Sequence, residues 1–236
     1  MNTPLVGPII GVLMLDTRFP RPPGDIGNPV TFARLGLVAR YRRVQGANPA
    51  RVVRERDPAL LEPFVAAARE LVAEGATLVT TSCGFLAAFQ PALQAALPVP
   101  VLTSSLLACA GLDAPGVLTI DADALDARVL AGAGVPAGTP VGGVLPGCEF
   151  QRRILGNHVE LDLAQAELDV VAGARALVAA HPRIRHIVLE CTNMPPYREA
   201  VAAATGRIVH SVVDLVARAA AHPRHATPDQ GTGARR

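Results

Sequence analysis

Leu78-Val-Thr-Thr-Ser-Cys83-Gly-Phe85 and Ile187-Val-Leu-Glu-Cys191-Thr-Asn-Met194 are the two stretches on which the reading of this chain turns. In each, an apolar, β-branched run passes directly into a cysteine, and an alanine-rich stretch with helical periodicity follows. A strand that feeds a helix in this way is the unit of a parallel sheet covered by helices. The cysteines lie 108 positions apart, and Thr77–Ala108 aligns with Arg185–Val216 without a gap, Thr103 falling on Ser211. A second block agrees: Gly11-Val-Leu-Met-Leu-Asp16 recurs as Gly116-Val-Leu-Thr-Ile-Asp121, 105 positions on. Two blocks repeated in one order at nearly one spacing imply two homologous lobes.

Outward from these stretches the same alternation continues. Strands are expected at Ile9–Leu15, Leu78–Ser82, Val99–Thr103, Val117–Ile120, Val141–Leu145, His186–Glu190 and Ile208–Ser211, with a short one possible at Arg51–Arg54. Helices are expected at Leu60–Glu74, Phe85–Ala96, Leu125–Ala133, Leu163–Ala180, Pro196–Ala204 and Val212–Ala221. Unbroken apolar strands such as Ile9–Leu15 should be buried on both faces, as in α/β proteins. The expected fold is α/β, two pseudo-symmetric lobes of parallel sheet and helices with the site in the cleft between them. Residues 1–108 with 216–222 should form one lobe and 109–215 the other, leaving 223–236 as a disordered tail. The proline-, glycine- and arginine-rich segment Asp16–Pro49 reads as one long loop.

Composition removes several functions. The net charge is +2, and the basic residues are scattered, which argues against a nucleic-acid partner. No apolar run approaches a membrane span, and the N-terminus lacks a signal-peptide pattern, so a soluble, cytoplasmic protein is expected. All 22 basic residues are arginine. Without lysine there is no amine for a pyridoxal phosphate aldimine and none for a Walker-type phosphate loop. The cysteines at 83, 109, 148 and 191 include no C-x-x-C pair, and the six histidines form no metal motif, so neither a disulfide framework nor a zinc site is expected.

What the repeat permits is acid–base chemistry. Ligands bind at the carboxyl ends of parallel strands, and a cysteine there, at a helix N-terminus, meets a positive dipole end and backbone N–H groups that favour thiolate. If the lobes face each other, one thiolate can take a proton from one face of a carbon while the other thiol delivers one to the opposite face. Removing a proton next to a carboxylate builds enediolate charge, which needs fixed donors. Backbone N–H groups of Gly84, Phe85, Thr192 and Asn193 and hydroxyls of Thr81, Ser82 and Thr192 are the candidates.

The paired strand–Cys–helix units and the Cys191-Thr192 step resemble the aspartate/glutamate racemase superfamily, which includes hydantoin racemase, maleate isomerase and arylmalonate decarboxylase. The resemblance covers nearly the whole chain in layout, though its motifs are short. It implies two flavodoxin-like lobes, no cofactor, and Cys83 and Cys191 as catalytic acid and base on a small carboxylate. Asp16-Thr17 fits a family position near the substrate. Two departures bear on substrate. The family often carries Cys-Asn-Thr at the first site and Cys-Thr-His or Cys-Thr-Glu at the second, where this chain has Cys83-Gly84-Phe85 and Cys191-Thr192-Asn193. Phe85 suits a less polar or cyclic substrate, and two cysteines argue against a decarboxylase of the arylmalonate type, which keeps one. Racemisation or epimerisation is the first reading. A cysteine nucleophile, in an isomerase or hydrolase, is the second, and a non-catalytic ligand-binding protein the third. A homodimer is plausible.

The remaining polar residues have plainer readings. Cys109 and Cys148 are expected to be structural, and Asp121 to cap the helix that follows it. Glu190 could be an acid, could tune the adjacent thiol or could pair with an arginine, and Glu149 is a weaker case of the same kind. Asn28-Pro29 reads as a turn. Arg18, Arg21, Arg152 and Arg153 could clamp a carboxylate, but in a lysine-free chain arginine is also the solubilising residue. His210 reads as a core histidine.

Overall fold

Eight strands form two four-stranded parallel sheets in the computed structural model, which describes residues 7–222. The first holds β1 (Ile9–Met14), β2 (Val38–Arg43), β3 (Leu78–Thr81) and β4 (Val101–Leu102) in the order β2-β1-β3-β4. The second holds β5 (Pro115–Thr119), β6 (Val141–Gly143), β7 (His186–Leu189) and β8 (Ile208–His210) in the order β6-β5-β7-β8. The sequence repeat is kept residue by residue. Gly11 pairs with Val79 and Val79 with Val101, as Gly116 pairs with Ile187 and Ile187 with Val209. The tail expected from Pro223 lies outside the described residues.

The repeated glycine has a packing cause. A Cβ on Gly11 would lie 3.1 Å from the Ala76 side chain, and one on Gly116 would lie 2.4 Å from Ile184. Ala76 and Ile184 are themselves equivalent positions, each in the turn that leads into the next strand. Each sheet is thus approached closely at the same point, and only a residue without a side chain allows it.

Eight α-helices cover the sheets: α1 (Pro29–Ala33), α2 (Leu61–Ala73), α3 (Gln90–Ala96), α4 (Ala127–Gly132), α5 (Glu149–Leu155), α6 (Leu163–Ala180), α7 (Arg198–Thr205) and α8 (Val212–Ala221). Helix α2 turns Phe64, Ala68 and Leu71 inward, the spacing of one helical face. Asp162 caps α6 through the N–H groups of Ala164 and Gln165, and Ser211 with Asp214 forms a capping box that starts α8. The halves interlock. Helix α8 lays Val212 and Val216 against Ile10, Val12 and Leu78 of the first sheet. The 3-10 segment Ser105–Gly111, which follows β4, leans on β7, and Ser105 Oγ donates to Leu189 O at 2.6 Å.

Several expectations need correction. Asp16–Pro49 is not one loop, since it contains α1 and β2. Strand β2 is the arginine-rich outer edge of the first sheet, where charged side chains block further pairing and mask the strand pattern. Arg51–Arg54 is no strand but part of a π-helical turn, Ala50–Arg54. Helix α4 is capped by Asp126, while Asp121 accepts only the N–H of Ala124. The helices after the cysteines begin as 3-10 turns, Gly84–Phe89 and Pro195–Tyr197, before α3 and α7. Asn28 is more than a turn residue: it caps α1 by accepting from Val30 N–H.

Candidate active site

Strands β3 and β7 end at equivalent points, and each delivers its cysteine at the head of a tight turn. Cys83, extended at φ −155°, precedes the 3-10 turn Gly84–Phe89, and Cys191 follows Glu190 directly. Both thiols line one narrow cavity. Ser82 and Gly84 from the first half and Glu190, Thr192 and Asn193 from the second complete its polar side. Its apolar wall includes Leu15, Phe19, Val53, Phe85, Ile120 and Ile154. Cys83 is 9% exposed and Cys191 6%, so both thiols are held almost wholly out of water.

Eight residues singled out in the sequence therefore meet: Ser82, Cys83, Gly84, Phe85, Glu190, Cys191, Thr192 and Asn193. Three others do not line this cavity. Asp16 takes the N–H of Gly46 at 3.2 Å and faces Arg43 at 3.7 Å. Thr17 accepts from Arg21 at 3.0 Å in a neighbouring, more open pocket that also holds Tyr41 and Arg43. The Thr81 hydroxyl accepts from Cys83 N–H and lies 2.7 Å from Thr103 O, holding the turn's backbone. The hydroxyl of Thr192 is also committed: it donates to Ser82 O at 2.6 Å and ties the two cysteine turns together.

The thiolate expectation is overturned by burial. Loss of solvent pushes the Cys83 thiol up to about 12, and the nearby Glu190 carboxylate adds to this, against N–H groups of Phe85 and Leu86 and the Arg21 charge. Cys191 is raised well above the ordinary thiol range by burial and by Glu190, with Cys83 and Asp25 adding, and the Asn193 N–H opposes only in part. Dipoles at a turn do not outweigh the removal of water from a small charged sulfur.

Glu190 pairs with no arginine. It is fully buried, Thr119 Oγ1 donates to its Oε2 at 2.7 Å, and its Oε1 has no partner. Burial pushes its carboxyl up to about 7, against the Thr119 hydrogen bond. A Cβ on residue 84 would lie 2.2 Å from that Oε1, so the glycine at 84 is what admits the carboxyl.

One functional neighbour was not legible in the sequence. Asp25, 1% exposed, accepts from Asn193 Nδ2 at 2.6 Å and from Arg21 at 2.8 Å. This orients the Asn193 amide so that Oδ1 faces the Cys191 thiol at 3.7 Å, which holds that sulfur in its protonated form. Arg21 is stacked over Phe19, 4.7 Å from the ring centroid. Gly24, at positive φ, passes close to Pro196. Arg18 stays exposed, and Arg152 and Arg153 pair with Glu149. Cys148 caps α5, and His210 stacks on His186 with their ring nitrogens 2.9 Å apart. Among the described residues no helix is long and apolar enough to cross a membrane, and no cluster of three metal-ligating side chains occurs.

No protein-family model matches the chain. It is 29% identical over 218 residues to a dimethylsulfoniopropionate lyase of Durusdinium sp. clade D, covering 86% of this chain and 71% of that one. It is 29% identical over 227 residues to dimethylsulfoniopropionate lyase 5 of Emiliania huxleyi (strain CCMP1516), covering 89% of this chain but only 44% of that protein. Among solved structures, a mutant of arylmalonate decarboxylase in its sulfate-associated form superposes with a TM-score of 0.61 at 22% identity, over 94% of this chain and 97% of the other. Allantoin racemase from Pseudomonas fluorescens gives 0.60 at 16%, over 90% and 89%. Picrophilus torridus aspartate racemase gives 0.56 at 10%, over 91% and 93%. The chain has the fold of the aspartate/glutamate racemase superfamily, and the proteins it is similar to are enzymes.

Proposed function

We propose that this protein is a cofactor-independent acid–base enzyme that removes the proton next to the carboxylate of a small substrate, with Cys83 as base and Cys191 as the opposed acid. The observation that carries this reading is that two thiols, from equivalent ends of two pseudo-symmetric sheets, line one buried cavity. Their surroundings support this division of roles. Cys83 has two N–H groups and the Arg21 charge on its side, whereas the Asn193 carbonyl faces the Cys191 thiol as an acceptor. Backbone N–H groups of Gly84 and Thr192 and the Ser82 hydroxyl are left as donors for the enediolate.

Racemisation or epimerisation follows if Cys191 returns a proton to the face opposite Cys83. A second reading, β-elimination, is favoured by the charge of the site and by the names of the sequence relatives. No lysine, arginine or histidine lines the cavity, and Glu190 does, so a substrate that brings its own cation would ease thiolate formation. In dimethylsulfoniopropionate the α-proton would pass to Cys83, the electron pair would form the double bond of acrylate, and the C–S bond would break to release neutral dimethyl sulfide. Elimination needs only the base; racemisation needs both thiols.

The test offers dimethylsulfoniopropionate, both enantiomers of aspartate and glutamate, and allantoin in D2O, with NMR following α-deuteration, inversion and acrylate. Turnover of one of these that vanishes in the Cys83→Ser/Cys191→Ser variant supports the reading. Turnover that persists in that variant at the wild-type rate contradicts it.

A further inference from the structure

The proposed chemistry leaves one proton unplaced. Both thiols are buried, which favours their protonated form, so before Cys83 can act as a base its own proton must move to a group inside the cavity. Glu190 is the carboxyl that lines the same space, and its Oε1 is a buried acceptor with no partner. A buried carboxylate oxygen without a donor costs free energy, and its retention calls for an explanation. The repeat shows how it got there. Glu190 stands where the first half has Ser82, and Gly84 stands where the second half has Thr192. On one side Thr192 reaches across with a hydroxyl to Ser82 O at 2.6 Å; on the other, Glu190 reaches across with a carboxyl into the space that a side chain at 84 would fill.

We infer that Glu190 is the internal proton acceptor of the site, a positioning residue that acts through Cys83. The S–H bond of Cys83 breaks with its electron pair left on sulfur, and the proton forms an O–H bond at Glu190 Oε1. Net charge in the cavity is unchanged, which is what makes the transfer feasible away from water. The groups that face Glu190 are Thr119 on β5, Cys83 and its turn, and Cys191 next in the chain, with Arg21 and Asp25 behind the thiols. The inference rests on the proton-abstraction reading above.

Glu190→Gln keeps the shape and an oxygen for Thr119 but accepts no proton. The first arm needs no substrate: iodoacetamide alkylation of Cys83, followed by mass spectrometry across pH. Wild type should break near pH 7, where Glu190 titrates, and Glu190→Gln should lose the break and react several-fold faster at pH 9. A wild-type profile with no break there overturns the inference, even should the variant fail to fold. The second arm is turnover of dimethylsulfoniopropionate and the racemase substrates named above. Although its thiol ionises more easily, Glu190→Gln should lose about 100-fold in kcat, the scale of one general acid–base group, with KM within threefold. A charge that merely hinders the thiol would instead raise kcat, and a variant within threefold of wild type overturns the inference. Loss of activity in Cys83→Ser beside full activity in Glu190→Gln defeats this inference alone; full activity in Cys83→Ser defeats the functional reading.

Discussion

The two cysteine turns stand on one frame, a parallel strand whose register is conserved between the halves, and differ in what surrounds the sulfur. Around Cys83 the chain supplies Ser82, Gly84 and Phe85, two N–H groups, and an arginine charge beyond. Around Cys191 it supplies Glu190, Thr192 and Asn193, and behind Asn193 the buried Asp25. Both environments disfavour thiolate, and the first disfavours it less than the second. A duplicated scaffold has thus placed two like groups symmetrically, and the asymmetry that directs chemistry lies in their immediate neighbours.

The largest effect expected from breaking this asymmetry is on turnover. Cys83→Ser should cost about 10³-fold in kcat, within the range for general acid–base groups. Cys191→Ser should cost as much for an inversion but less than tenfold for an elimination, so steady-state rates of the two variants sharpen the comparison directly.

Next comes stability at the crossing points. Gly84→Ala would set a Cβ 2.2 Å from the Glu190 carboxyl and 2.3 Å from its backbone oxygen, and overpacking of this kind costs about 3 kcal/mol. Thr192→Ala at the equivalent position removes one hydrogen bond, worth about 1 kcal/mol. Urea denaturation of both should rank them in that order; equal losses would break the comparison.

The buried carboxyl also gives a pH signature. Its folded value of about 7 lies above the ordinary 4.5, so the folded state binds the proton more tightly. Stability from this group is present in full below the unfolded value and is lost as pH rises through 7, on the order of 3 kcal/mol in total. Midpoints of urea unfolding should fall over that window in wild type, and the fall should be shallower in Glu190→Gln. Smallest of all, Arg21→Gln removes a charge that favours the Cys83 thiolate, and alkylation of Cys83 should slow by about threefold, less than half a pKa unit.

How much of this was legible in the sequence depends on how local each signal is. The sheets and both cysteines could be read because apolar runs, their turns and their repeat spacing are written in consecutive residues. Helix α6 was placed to the residue because its inward positions recur at helical spacing and Asp162 marks its start. Strand β2 was not, since an edge strand carries Arg40, Arg42 and Arg43 where a central one carries valine and isoleucine. Asp25 sits 168 positions from its partner Asn193, and no local pattern announces such a contact. The protonation of the thiols was misjudged for the same reason: a turn's dipole is local, but the burial that opposes it is made by both halves together.

In the proposed mechanism Cys83 takes the proton and Cys191 faces it with another. This is tested most directly by α-proton exchange in D2O, read by NMR on the substrate that wild type turns over, for Cys83→Ser and Cys191→Ser side by side. No exchange is expected in Cys83→Ser, and continued α-proton removal is expected in Cys191→Ser, seen as exchange without inversion or as acrylate release. Exchange in Cys83→Ser at the wild-type rate would contradict that mechanism.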